Sequence, residues 1–272
     1  MYDSYKKTPI GKIPEDWEVV RLKDVLTLIR NGLTYRQNKE GDGYPITRIE
    51  TISDEKIDPG KVGFVNNLKE EELKEYRLIG GDILFSHINS LVHIGKTAIY
   101  EGYPELLLHG MNLLLLKPKR SKIDPHFLLY LLRVFRMKGI FRNMAKKAVN
   151  QASINQTELG RVIIPLPPLH EQKKIAEILS TVDKAIQKVD EAIAKTERLK
   201  KGLMQELLTK GIGHKEFKDT EIGRIPKEWE VVRLEDVVWI NKESIDPKKE
   251  LSNKTFFYID INSIENGTGK VN

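Results

Sequence analysis

The 272 residues contain no cysteine. That excludes disulfide scaffolds and thiolate zinc sites, and nothing points to an oxidising compartment. No stretch approaches the roughly 18 consecutive apolar residues of a membrane-spanning helix, and the opening MYDSYKKTPIGKIP lacks the apolar core of a signal peptide. A cytoplasmic protein without a membrane segment is therefore expected. Catalytic signatures fail where their chemistry needs them. Gly95-Lys96-Thr97 has Ser90 where a phosphate loop needs its first glycine, and His170-Glu171 is followed at the second ligand position of a zinc-protease helix by Lys174. His87 and His93 have no carboxylate at ligand spacing. No dinucleotide fingerprint and no nucleophile elbow is found. The chain is expected to be non-catalytic, with no metal or cofactor of its own.

Acidic residues are missing over one long stretch. Pro125 to Thr157 contains no Asp or Glu, and residues 117–161 carry 11 basic side chains against 2 acidic ones. Such a local excess suits a nucleic-acid contact; a solvated basic helix face would give the same count. Overall the net charge is only +6.

What the chain has in abundance is one long heptad pattern. In Leu169 to Lys210, apolar residues alternate at steps of four and three: Ile175, Leu179, Val182, Ile186, Val189, Ile193, then Thr196, Lys200, Leu203 and Leu207. The spacing predicts a coiled-coil seam. Pro167 and Pro168 bar extension backwards, and Gly211 and Gly213 supply left-handed positions for its end. A helix of this length measures roughly 60 Å and needs a cover for its seam.

A second pattern is an internal repeat. TPIGKIPEDWEVVRLKDVL (Thr8 to Leu26) recurs as TEIGRIPKEWEVVRLEDVV (Thr220 to Val238), 13 of 19 positions being identical at an offset of 212. The second copy runs to Asn272, the counterpart of Gly60. Residues 1–165 are read as a first globular unit, 166–212 as the helix and 213–272 as the opening of a second unit, in an α+β fold.

Within the first unit, strands are expected at Trp17 to Leu22, Gly43 to Thr51, Gly81 to Ser86, Thr97 to Tyr100, Leu113 to Lys117 and Arg161 to Pro168. Trp17 reads as a core anchor. Asp124-Pro125 predicts a helix start with Phe127, Leu128, Leu131, Leu132 and Phe135 inward. After Gly139 a second piece from Ile140 to Ala148 places Arg142 and Lys146 one turn apart. Asn155 with Glu158 reads as a capping box. Candidate phosphate contacts are Arg142, Lys146 and Lys147; candidate base contacts are Arg30, Arg36, His87, Asn89 and Gln151, because guanidinium and amide side chains pair with base edges.

ELGRVIIPLPPLHEQKKIAEILSTVDKAI, ERLKKGLMQELLTKGIG and the repeated Trp-Glu-x-x-x-Leu opening at Trp17 and Trp229 resemble the specificity subunit of Type I restriction-modification systems, as does GDILFS at Gly81 to Ser86. The resemblance implies a DNA reader without chemistry. Two target recognition domains would each read half of a bipartite site, held apart by two long antiparallel helices. Double-stranded DNA, modification subunits and restriction subunits are the implied partners, with S-adenosylmethionine, ATP and Mg on those partners only. Measured against that pattern the second domain is incomplete, as in a truncated product or a half subunit, and a homodimer through Ile175 to Leu207 is one way to cover the seam. The alternative is a stand-alone dimeric DNA-binding regulator using the same coiled coil.

Overall fold

A computed structural model describes residues 4–36, 38, 41–147, 151–239, 259, 261–265 and 270–271. Compactness divides the chain into Met1–Glu191 and Ala192–Asn272.

The first unit begins with a hairpin of β1 (Tyr5–Thr8) and β2 (Gly11–Pro14), followed by β3 (Glu18–Arg21), a 3-10 turn at Leu22–Val25 and β4 (Leu26–Asn31). Next come β5 (Tyr44–Ile46), β6 (Gly63–Val65), α1 (Glu70–Tyr76), β7 (Ile83–Ser86), β8 (Ile88–Asn89), β9 (Thr97–Ile99) and β10 (Leu113–Pro118). After these, α2 (Pro125–Met137), α3 (Ile140–Met144), β11 (Lys146–Lys147), β12 (Ala152–Ser153), α4 (Gln156–Gly160) and β13 (Ile163–Leu166) lead into α5 (Leu169–Lys210).

The organising sheet has the order β4-β10-β7-β9, all neighbours antiparallel. Its central strands are short unbroken apolar runs, the pattern of strands covered on both faces. Successive side chains point to opposite faces, so Leu114 and Leu116 join Ile83 and Phe85 in one core while Leu113 and Leu115 join Leu84 in another. The first core is closed by α2, α3 and α4 through Phe127, Leu128, Leu132, Phe141 and Leu159. Ile52, Leu78, Tyr100 and Leu107 close the second.

Local signals place several boundaries. The Asp124 carboxylate accepts from the backbone N–H of His126 and Phe127 at 2.9 and 3.0 Å, capping α2. Gly139 takes φ +74 and stops it. Asn155 accepts from Glu158 N–H at 2.8 Å, capping α4 as expected. Three expectations are corrected. The strand at Gly43 to Thr51 ends at Ile46 and gives way to a 3-10 turn at Ile49–Ile52, where Thr51 Oγ1 accepts from Arg48 N–H at 2.9 Å. The helix expected over Ile140 to Ala148 stops at Met144, because Lys146–Lys147 pairs with β12, and β12 with β8. Trp17 is not a buried anchor: it lies half-buried and its indole Nε1 donates to Glu171 Oε2 at 3.0 Å.

α5 has the bounds the sequence suggests, and its first turns are rooted in the unit. The Gln172 side chain is fully buried. It accepts from Asp124 N–H at 2.9 Å and donates to the carbonyls of Lys122 and Pro167 at 3.0 and 2.8 Å. Ala176 is buried, Ile175 packs on the first core, and Asp183 accepts from Tyr130 OH at 2.9 Å. This packing is why the division into units falls inside α5 and not at its start. Further along, the seam residues Leu179, Val182, Ile186, Val189, Ile193, Leu203 and Leu207 are 38 to 57 % exposed. Gly211 and Gly213, at φ +65 and +75, end the helix.

The second unit reproduces the first hairpin. β14 (Phe217–Thr220) and β15 (Gly223–Pro226) pair as Phe217 with Pro226 and Thr220 with Gly223, the register of Tyr5 with Pro14 and Thr8 with Gly11. The polar segment after α5 thus enters a strand at Phe217. The threonine hydroxyl donates to the glycine carbonyl in both, at 2.6 and 2.7 Å. A short helical turn follows at α6 (Leu234–Val237), the counterpart of Leu22–Val25. Between them the copies differ. Glu18–Arg21 is a strand because it pairs with β13, whereas 230–233 forms no strand and β13 has no counterpart at this offset within the 272 residues. Leu22 and Val25 are 0 and 1 % exposed; Leu234 and Val237 are 65 and 62 % exposed.

Replacing Gln172 tests the seat of α5. Gln172→Ala removes the partner of the Asp124 N–H and of the Lys122 and Pro167 carbonyls, and should cost about 2–4 kcal/mol in urea unfolding. Gln172→Glu should cost at least as much, because a carboxylate cannot donate to the two carbonyls.

Candidate nucleic-acid interface

The registers of the central sheet define its two ends. Asn31 at the end of β4, Ser86 at the end of β7 and Leu113 at the start of β10 share one end, since Leu113 pairs with Ser86 and Leu114 with Asn31. The chain leaves from there after Asn31 and after Ser86, and returns to it at Leu113. The root of α5 belongs to the opposite end, reached through Pro118 and the turn to Asp124.

At the first end the segments cross closely. Leu33 N–H donates to His109 O at 2.9 Å, and a Cβ on Gly32 would stand 1.9 Å from Gly110 O, so no other residue fits there. β8 leaves β7 and pairs with β12, with Asn89 opposite Ala152 and Ser153 opposite Ile88; β11 adds Lys146 opposite Ser153 and Lys147 opposite Ala152. Asn89, Lys146 and Lys147 are thus gathered on one three-stranded sheet, with Gln151 just before β12, and the His87 carbonyl accepts from Ile154 N–H at 2.9 Å.

Those side chains differ in what they can offer a ligand. Arg142, Lys147 and Gln151 are exposed and make no ion pair among the described residues. Lys146 reaches Glu158 Oε1 at 3.1 Å, and this contact first of all holds the Glu158 carboxyl below its usual range. The Asn89 amide shapes its own loop, donating to Ser86 Oγ at 3.1 Å and accepting from Ser90 N–H at 2.8 Å.

Two candidates have a different role. Arg30 lies in β4, 18 % exposed, ion-paired with Glu75 at 2.6 Å, donating to the Glu75 carbonyl and stacked 4.4 Å from the Tyr76 ring centre. It pins α1 to the sheet and is not free to read a base. His87 is buried, and burial pushes its pKa down to about 4, so it is neutral and unsuited to a phosphate. Arg36 is exposed and lines a recess of about 460 Å³ with Thr34, Tyr35, Asn38, Asn66 and Asn67. Sequence reasoning missed Asn66 and Asn67, whose signal was an Asn-Asn pair, with Asn67 at φ +59.

The acid-free stretch is less available than its charge count suggests. Arg133 donates to the Glu55 carbonyl at 2.6 Å and lies 3.6 Å from Asp183, while Arg136 meets Glu55 Oε1 at 2.7 Å. Both cations face acids distant in sequence, which leaves Arg142 and Lys147, beside and in β11, as exposed cations without an ion pair among the described residues.

The first unit is thus a two-sided α+β domain with basic and amide side chains at one sheet end and a long helix rooted at the other. Residues 14–197 match the family model of the Type I restriction modification DNA specificity domain, and the chain belongs to that family. Over 233 residues it is 62 % identical to a protein of Methanocaldococcus jannaschii named as the MjaX specificity subunit of a type I restriction enzyme, covering 85 % of this chain and 55 % of that one. It therefore spans about half the length of that relative. The fold is similar to that of a chain solved in a study of assembly and conformational transition of a type I restriction-modification system (TM-score 0.53, 24 % identity, 74 % of this chain and 46 % of the other). It is similar also to the S subunit of a type I system from M. genitalium (TM-score 0.51, 16 % identity, 70 % and 45 %).

Acid stability reports on the packed end of the sheet. His87 and His109 are both buried, each has an unpartnered Nδ1, and burial lowers both pKa values to about 4 from an ordinary 6.5. The unfolded chain takes up these protons near pH 6.5 and the folded chain does not. Stability present above pH 6.5 is thus lost as pH falls towards 4, by about 2 kcal/mol per histidine between pH 7 and pH 5. Urea unfolding across that range should show the slope, and His87→Gln with His109→Gln should flatten it.

Proposed function

We propose that this chain is the DNA-reading part of a Type I restriction-modification complex and has no chemistry of its own. Its first unit recognises one half of an interrupted target and α5 acts as the spacer. The observation that carries the reading is the placement of Lys147 and Asn89 on β11 and β8, with Arg142 and Gln151 exposed in the segments that flank β11 and β12, at the sheet end opposite the root of α5. Family membership and the 62 % identical relative support it. In this reading modification subunits dock on the chain and methylate adenine, restriction subunits join them, and S-adenosylmethionine, ATP and Mg belong to those partners. A spacer of 42 residues, about 63 Å at 1.5 Å per residue, suits readers separated along a duplex that repeats about every 34 Å.

Phosphate and base contacts separate in titration. Arg142→Ala with Lys147→Ala should weaken binding to all duplexes and reduce the salt slope by about 2. Lys146→Ala, whose ammonium already has Glu158, should change it less. Arg36→Ala, or changes at Asn66 and Asn67, should alter sequence preference by about 1–3 kcal/mol per contact. Unchanged affinity for random DNA in the Arg142/Lys147 variant would sink the assignment. Copurification with modification subunits, followed by mapping of methylated sites, identifies partner and target; tight operator binding without them would favour the stand-alone regulator.

A further inference from the structure

Gly95-Lys96-Thr97 lacks the first glycine of a phosphate loop, but its glycine and lysine are both engaged. Gly95 takes φ +80, and a Cβ there would stand 2.6 Å from Phe141 Cδ2, so the turn at 91–95 is seated directly on α3. Lys96 Nζ donates to the Ser53 carbonyl. The turn is closed by His93 and Ile94 N–H donating to Ser90 O at 3.0 and 2.9 Å, and by Gly95 N–H donating to Ser86 O at 2.8 Å. Within it Leu91 packs on the first core, while Val92 is 73 % exposed.

The exposed residue is also held from outside its loop. Arg136 in α2 donates through Nη2 to the Val92 carbonyl at 3.0 Å and through Nη1 to Glu55 Oε1 at 2.7 Å. Glu55 is fixed in turn: its carbonyl accepts from Arg133, and its backbone stands at φ +57, a left-handed conformation that glutamate seldom adopts. A lone exposed valine is ordinary on a protein surface. One whose own carbonyl is tied by an ion-paired guanidinium is a side chain displayed in a fixed place.

That place adjoins the candidate phosphate contacts. Phe141, on which Gly95 sits, precedes the exposed Arg142; Asn89, from which the loop departs, lies opposite Ala152, and Ala152 opposite Lys147. Valine has neither donor nor acceptor. The base-edge group it can recognise is the C5 methyl that thymine, alone among the four bases, presents in the major groove. Its branched side chain has few rotamers to lose on contact.

We propose, on the DNA-reading role set out above, that Val92 is a specificity-determining residue that packs on a thymine methyl group of the target half-site, and that Arg136 and Glu55 are positioning residues that hold it there. The full chain is mixed with a randomised duplex pool and the preferred duplex is recovered. Each of its thymines is then replaced singly by deoxyuridine, which removes the methyl group and leaves the hydrogen-bonding edges intact. At one position the replacement should weaken binding about fourfold, the size expected for one buried methyl group. Val92→Ala, a change at an exposed side chain, should abolish most of that difference and leave the salt slope unaltered. Arg136→Ala and Glu55→Gln should lose the same discrimination while affinity for random DNA and the salt slope stay those of the parent chain. A slope reduced by about one in Arg136→Ala would make this residue a phosphate contact and overturn its positioning role. A preferred duplex indifferent to every uracil, or a Val92→Ala chain that keeps the parent's thymine preference, would overturn the proposal alone. Failure to select any preferred duplex would overturn the DNA reading together with it.

Discussion

Four consecutive leucines, Leu113 to Leu116, buried alternately in two cores, set the constraint that everything else obeys. A sheet covered on both faces has no free surface for a ligand, so its faces serve stability and only its ends can serve recognition. β10 reaches both ends. At Leu113 it meets Ser86, where the crossing loops, the neutral histidines and the three-stranded sheet gather; at Pro118 it leads to the turn that Gln172 locks. The Gly32–Gly110 crossing and the burial of His109 show how tightly the first end is packed. The loops at this end thus extend from a tightly packed rim, whose two buried histidines resist protonation.

Features carried by a few adjacent residues were legible in the sequence. The bounds of α5, the caps at Asp124 and Asn155 and the apolar runs of β7 and β10 all rest on neighbours within a turn or on strict alternation. What was not legible depended on partners far along the chain. Arg30 looked like a base reader until Glu75 and Tyr76, 45 residues away, claimed it. Arg133 and Arg136 looked like part of a basic face, and Glu55 satisfies both. Lys146 sat in an apparent helix; pairing with β12, which is itself held by β8, draws it into a strand. The phosphate candidates all stayed exposed, but Lys146 is taken up by Glu158, and the pairing of β11 with β12 that brings Lys147 beside Gln151 is encoded by no local pattern.

The repeated segment separates these two kinds of information within one molecule. Trp-Glu-Val-Val-Arg-Leu occurs at Trp17 and at Trp229, and the hairpin before it folds identically in both places, down to the threonine hydroxyl bond in its turn. The helical turn after it also forms twice. Only the strand between them needs a partner, and among the described residues only the first copy has one, β13. Burying a leucine and a valine is worth about 1.5–3 kcal/mol each, a gain realised at Leu22 and Val25 and not at Leu234 and Val237.

The placement of the loops and of the helix root at opposite ends of β10 also bears on inheritance. Substitutions separated by more than about 7–10 Å and sharing no partner act almost independently, and a six-residue strand keeps its ends about 20 Å apart. The loops of one end can therefore drift, be replaced or be exchanged with those of a sister protein while the turn that Gln172 locks keeps its geometry. A lineage can change those loops without rebuilding the turn that seats α5.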